Sequence, residues 1–255
     1  MMQQMLLGYT TPPASGGPTY LTNNLVLNLD AGDSSTYSGS ILQDQVGSGD
    51  CTFSGGGYSY TSDYGGGIRL GNSNFGDSNW DGGSFTTPNI ESVSHTWELW
   101  TNMTHSSTNS GGYTYIVHNN NISTNTGSSF VTIGVNSANN YFAAMGGTYS
   151  SMDSGVSGVY YNSNGNSSNY HIVLVWEQGW ERMYINGVNV VQHNMGTSSI
   201  PNFNSTTSIA ANSYDSGIDY REAMGTFYSL RIYSQALSAS DVLANFNGNK
   251  GKFGL

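Results

Sequence analysis

The sequence predicts an antiparallel β-sandwich of two sheets, closed by one short C-terminal helix. Three observations predict it. Residues 170–193 read YHIVLVWEQGWERMYINGVNVVQH, with apolar runs flanking Gln178-Gly179 and then Asn186-Gly187. Asn-Gly is the strongest short-range hairpin signal, because both central residues of a type I′ turn take φ > 0. Consecutive antiparallel strands therefore follow one another here. Residues 225–246 read GTFYSLRIYSQALSASDVLANF, a strand that runs into a helix start. Ser238 and Asp241 form an S-x-x-D capping box, and Leu237 is placed to staple onto Val242. Between His95 and Met103, Trp97, Leu99, Thr101 and Met103 share one face, and Thr96, Glu98, Trp100 and Asn102 the other. Large residues on both faces mark a central strand.

The remaining elements follow in chain order. Met1, Met2, Met5, Leu6, Leu7 and Tyr9 open the chain, followed by Pro12-Pro13 and Gly16-Gly17-Pro18. These breakers forbid helix, so residues 1–20 are expected to be an extended arm. Its apolar start favours docking, on the sandwich or on a neighbour, over a free tail. Residues 21–255 form the sandwich. Leu25, Leu27 and Leu29 alternate with Val26, Asn28 and Asp30 as an early strand. Residues 31–66, rich in Gly, Ser, Tyr and Asp, read as long loops with short strands. Ile68, Leu70 and Phe75 suggest an edge strand. Strands are expected at 113–117, 129–135, 140–144, 159–161 and 207–211, with a Gly/Ser/Asn-rich insertion over 146–169. About a dozen strands fit two sheets packed about 10 Å apart.

Composition narrows the function. Hydrophobic residues make up 36% of the 255 residues, aromatics 13% and charged residues only 9%. Such a chain folds, and Asn, Ser, Thr and Gly rather than ions solvate its surface. With 6 Lys+Arg against 16 Asp+Glu, the net charge of −10 argues against nucleic acid or an anionic membrane as partner. The lone Cys51 rules out an intrachain disulfide and reads as a small buried hydrophobe. The start lacks a basic n-region and a long apolar h-region, and no apolar run approaches membrane-spanning length. Synthesis in a cytoplasm is the expectation, without membrane insertion.

These same segments carry a resemblance. WERMYINGVNVVQ, SLRIYSQALSASDVLANF and TWELW (residues 96–100) resemble the strand–turn–strand, the closing strand with its helix, and the Trp-bearing inner strand of the concanavalin A-like lectin/glucanase superfamily, in its laminin G-like and pentraxin-like branch. LVLNLDAGDSSTYSGS (residues 25–40) and GNKGKFGL (residues 248–255) resemble bacteriophage virion proteins that carry this domain. The resemblance implies a concanavalin A-like jelly roll. It also implies a place in a virus particle, as a head decoration, tail or fibre subunit, with other virion proteins and further copies of the chain as partners. Host surface glycans are the implied ligands.

The same superfamily contains glucanases, so catalysis must be tested. Retaining hydrolysis needs two carboxyls about 5–5.5 Å apart. The family's glucanases supply them from one strand as E-x-D-x-E or E-x-D-x-x-E, a cluster this chain lacks. Glu98 stands alone in TWELW, and Glu177 and Glu181 flank a turn, where like charges read as solvated. His95, His105, His118, His171 and His193 show no metalloprotease spacing. A non-enzyme is expected. For relatives that bind Ca²⁺ at a loop rim, oxygen ligands are required; Asp215 with Asp219 is the first candidate pair, ahead of Asp30 with Asp33 and Asp77 with Asp81. Asp in loops more often forms turns. For sugar, aromatic faces are required. Trp80, in NFGDSNWDGG, is the main candidate, with Tyr214 and Tyr220 beside the Asp215/Asp219 pair. Tyr58, Tyr60, Tyr64, Tyr149, Tyr160 and Tyr161 are further loop aromatics. The competing reading of Trp80 is a loop anchor folded onto the core. Trp97, Trp100 and Trp176 read as core.

Overall fold

Two sheets face each other across one apolar core, and a C-terminal helix covers the outer face of the first sheet. The structure is a computed structural model that describes residues 20–55, 57–70, 82–90, 94–105, 113–120, 130–136, 140–145, 159–162, 168–177, 179–194, 206–210 and 223–255. Strands are numbered in chain order. In spatial order the first sheet holds β16 (Val188–Asn194), β15 (Trp180–Ile185), β14 (Tyr170–Glu177), β8 (Ser94–Thr101), β18 (Ala223–Tyr233), β6 (Gly67–Leu70) and β5 (Ser59–Thr61). Also paired to β18 are β1 (Leu25–Asp30) and β9 (Thr104–His105). The second sheet holds β13 (Val159–Asn162), β12 (Asn140–Met145), β11 (Phe130–Asn136), β10 (Tyr113–Asn120), β17 (Thr206–Ile209), β7 (Gly82–Thr86), β4 (Cys51–Ser54), β3 (Ile41–Leu42) and β2 (Tyr37–Ser38). All pairings among them are antiparallel.

The hairpin signals form as read. Ile185 pairs with Val188 across Asn186 (φ 51°) and Gly187 (φ 78°), a two-residue turn with both φ positive. Asn186 also ties the hairpin to β14: its side-chain Oδ1 accepts from the His171 N–H at 3.0 Å, and its own N–H donates to the His171 carbonyl at 2.8 Å. Glu177 pairs with Trp180 across the first turn, where Gly179 has φ 84°. A Cβ at Gly187 would come within 3.0 Å of Leu243 and 3.1 Å of Phe246, so the turn also abuts the helix.

Alternation along β8 sets the layers. Trp97 and Leu99 face the inter-sheet core with Ile172, Leu174, Leu230 and Ile232. Trp100 faces outward, where its ring stacks on Phe253 at 4.2 Å and lies 4.6 Å from His171. The cover comes from helix α1 (Ala239–Asn249) and the 3-10 turn after it. Ser238 caps α1: its hydroxyl accepts from the Asp241 N–H, and the Asp241 carboxylate accepts from the Ser238 N–H. Leu237 and Val242 are buried in one cluster, the expected staple. Tyr20 and Leu21 close the same face: the Tyr20 ring lies under the Arg231 guanidinium at 3.8 Å, and the Leu21 N–H donates to Asn245.

Two expectations change. The sheets contain eighteen strands among the described residues rather than a dozen, the additions being pieces of two to four residues such as β2, β3, β4, β5 and β9. Ile68 and Leu70 belong to β6, which is not an edge: β5 lies outside it. The Ser/Tyr/Gly-rich stretch hid that outer strand, because it lacks apolar alternation.

Candidate functional site

Trp80, Tyr214, Tyr220, Asp215 and Asp219 lie outside the described residues, as do Asp77, Asp81 and residues 1–19. Of the loop aromatics, Tyr58, Tyr60 and Tyr64 are described with their side chains, and the structure brings them to one place. They sit on and beside the β5–β6 hairpin, where the lateral edges of both sheets meet. Tyr60 on β5 stacks against Tyr37 on β2, with ring centroids 5.4 Å apart and an 18° interplanar angle. Tyr58 packs on Phe53 of β4. These rings close the open side of the sandwich between the two edge strands.

The turn of that hairpin presents a different surface. Tyr64 stands in the left-handed region (φ 53°, ψ 34°) and is 47% exposed. One side of it meets the Tyr228 ring at 81°, centroids 5.9 Å apart. Beside it, Arg69 on β6 donates to Asp63 at 2.6 Å, with both side chains more than half exposed. Hydrogen bonds from Thr61 and Arg69 hold the Asp63 carboxyl below the usual range. Burial pushes the Tyr228 hydroxyl up to about 12. Lys252 of the C-terminal 3-10 turn runs beneath: a Cβ on Gly65 would fall 2.9 Å from its Cε. An exposed ring beside a paired carboxylate and guanidinium offers an apolar face, acceptors and donors together.

The carboxylates that could serve catalysis are placed otherwise. Glu98 is fully buried on the outer face of β8 and is far from alone. Its Oε1 accepts from His171 Nε2 at 3.1 Å and Arg231 Nη1 at 3.2 Å; its Oε2 accepts from the Tyr233 hydroxyl at 3.1 Å and Asn245 Nδ2 at 2.7 Å. Burial would raise the carboxyl; the His171 hydrogen bond and the Arg231 charge outweigh it and hold Glu98 at about 2. A carboxylate so enclosed is a tie between β8, β14, β18 and α1, not an open acid.

Glu177 and Glu181 do not form a solvated pair. Glu177 is exposed and accepts from Arg182 at 2.8 Å. Glu181 pairs across the sheet with Trp176 and points to the opposite face, fully buried, with no hydrogen-bond partner at either oxygen. Burial drives its carboxyl well above the usual range. Asp30 meets Arg231 at 3.4 Å and Lys252 at 3.6 Å, and Asp33 accepts from the Ser35 N–H and hydroxyl as a turn former. Among the described residues, no three His, Cys, Asp or Glu side chains are grouped to hold a metal. No helix among them is long and apolar enough to cross a membrane.

Fold and site together define a class: a two-sheet jelly-roll sandwich with buried, mutually engaged polar groups and an aromatic edge. The chain belongs to the concanavalin A-like lectin/glucanases superfamily, whose laminin G family model matches residues 77–243. No curated protein matches it. Among solved structures it is similar to the binding domain of botulinum neurotoxin DC in complex with SialylT, with TM-score 0.62 and 17% identity over 88% of this chain and 51% of that one. A second is from work on botulinum neurotoxin type C, whose cell entry depends on interaction with two ganglioside molecules, with TM-score 0.62 and 15% identity over 88% and 51%. A third is Trypanosoma rangeli sialidase in complex with the inhibitor DANA, with TM-score 0.59 and 12% identity over 89% and 33%. The chain thus spans about half of the neurotoxin domains and a third of the sialidase. At these identities the likeness is one of fold.

Proposed function

We propose that this protein is a non-enzymatic, lectin-like component of a virus particle: a bacteriophage head decoration, tail or fibre subunit that contacts glycans on the host surface. The observation that carries the glycan part is the exposed Tyr64 ring beside the Asp63–Arg69 pair, on a family sandwich whose Glu98 is tied up as a structural anion. Two of the similar structures belong to toxins that engage SialylT or ganglioside molecules, and this supports the same reading. The virion part rests on the sequence resemblance of residues 25–40 and 248–255, and on a chain that is only 9% charged. Other virion proteins and further copies of the chain are the partners it implies, with the arm at residues 1–20 as the assembly element. A free bacterial carbohydrate-binding or adhesin module is the second reading, favoured by the likeness to toxin binding domains.

Two experiments test this. Mass spectrometry of purified particles should find the chain in stoichiometric amount; its absence from particles, together with secretion from a bacterium, selects the adhesin. A glycan-array screen of the purified protein should give saturable binding without release of reducing sugar. An array with no bound glycan leaves only the structural role.

A further inference from the structure

We propose that the β5–β6 corner takes an uncharged pyranose and excludes acidic sugars. This rests on the glycan-binding reading above and narrows its ligand class. The Asp63–Arg69 pair has complementary hydrogen-bonding capacity. A carboxylate offers about four lone-pair sites and a guanidinium five N–H groups. After bonding each other at 2.6 Å, with side chains 55% and 59% exposed, both keep capacity toward solvent. Adjacent sugar hydroxyls, each donor and acceptor, match such a side-by-side acceptor and donor. Tyr64, 47% exposed next to them, supplies the apolar face on which the C–H side of a pyranose can lie.

Charge decides between neutral and acidic sugars. The cations at this corner already face carboxylates: Arg69 meets Asp63, and Lys252 meets Asp30. Lys252 also acts on Asp33, so three carboxylates surround two cations. Arg231, the next cation inward, is divided between Asp30 and Glu98. A sugar carboxylate or sulfate at Arg69 would stand beside the Asp63 carboxylate, which repels it. It would also approach a molecule of net charge −10. Both effects oppose it, whereas a neutral sugar encounters neither. The ligand class therefore differs from the sialylated partner of the neurotoxin domain of the same fold.

The test uses the full chain on an array of matched oligosaccharides, each with and without a terminal sialic acid or sulfate, followed by titration calorimetry of the best neutral ligand. Neutral forms should bind. Affinity should fall about tenfold or more in Tyr64→Ala, as for a lost aromatic anchor. It should fall also in Asp63→Asn, survive in Tyr64→Phe, and be unchanged by EDTA. Acidic forms that bind as well as their neutral partners would overturn this inference and leave glycan binding standing. Neutral binding that ignores both Tyr64→Ala and Asp63→Asn would move the site elsewhere on the protein. Failure of every glycan to bind the wild type would remove the glycan-binding reading itself.

Discussion

Glu98 and Glu181 are both fully buried in the same sheet, on opposite faces, and their surroundings differ completely. On the outer face, four donors from three elements converge on Glu98. On the inner face, Glu181 lies in the row His95–Trp176–Glu181–His193 across four strands, and neither of its oxygens finds a hydrogen bond. The outer face is therefore a site where removing a partner leaves an uncompensated charge. The inner one already bears the cost of a buried polar group without a partner. Burial alone says nothing about whether a carboxylate stabilises a fold; its partners do.

The largest expected effect comes from Glu98→Gln. It leaves Arg231 facing Asp30 alone, at 3.4 Å, and should cost about 3–5 kcal/mol in denaturant unfolding. The pH dependence follows from the depressed carboxyl. Glu98 titrates at about 2 in the fold against 4.5 unperturbed, so its contribution is full above about pH 4.5 and is lost as pH falls toward 2. Wild type and Glu98→Gln should thus converge in stability in strong acid; a constant gap down to pH 2 would break the comparison.

Gly187→Val is next. It places a β-branched residue at φ 78° and drives its Cβ into Leu243 and Phe246 of the covering helix. A loss of roughly 1–3 kcal/mol is expected. An unchanged melting temperature would show that the helix cover is not seated on this turn. Glu181→Met should go the other way and raise stability at neutral pH by about 1–2 kcal/mol, since an unpartnered buried carboxyl is replaced by an apolar chain. The sign with pH is opposite to that of Glu98. Because burial raises the folded-state carboxyl, the cost is smallest below the usual carboxylate range and grows as pH rises, so the gain should shrink in acid. A destabilised Glu181→Met would mean that the inner carboxyl has a partner in solution. Ser238→Ala, which deletes the α1 cap, should cost about 1 kcal/mol. Combined with Glu98→Gln it should cost less than the sum, since α1 carries Asn245 to Glu98.

What the sequence showed was what local chemistry decides. Asn186-Gly187 demanded positive φ, Ser238 and Asp241 demanded a helix start, and alternation placed Trp97 and Trp100 on opposite faces; all three stand in the structure. The Glu98 cluster was invisible because its donors lie 73, 133, 135 and 147 positions away in sequence. No local pattern distinguishes such a glutamate from a solvated one. Glu181 differs from the solvated residue its position beside a turn suggests for a related reason: a two-residue turn puts it out of phase with Glu177, so one faces water and the other the core. The β5–β6 hairpin was hidden by Gly, Ser and Tyr, which read as loop. Its tyrosines were nevertheless among the loop aromatics named as sugar platforms. What only the structure supplies is that Arg69 meets Asp63 on the same turn that exposes Tyr64.

The proposed function is recognition without chemistry, with Glu98 as an anion that ties β8, β14, β18 and α1 together. The direct measurement compares wild type with Glu98→Gln at a temperature where both are folded, following glycan binding and release of reducing sugar in the same samples. The account predicts equal binding per folded molecule, no sugar released by either protein, and a lower unfolding midpoint for the variant. Sugar released by the wild type and absent with Glu98→Gln would contradict it and make Glu98 a catalytic carboxylate.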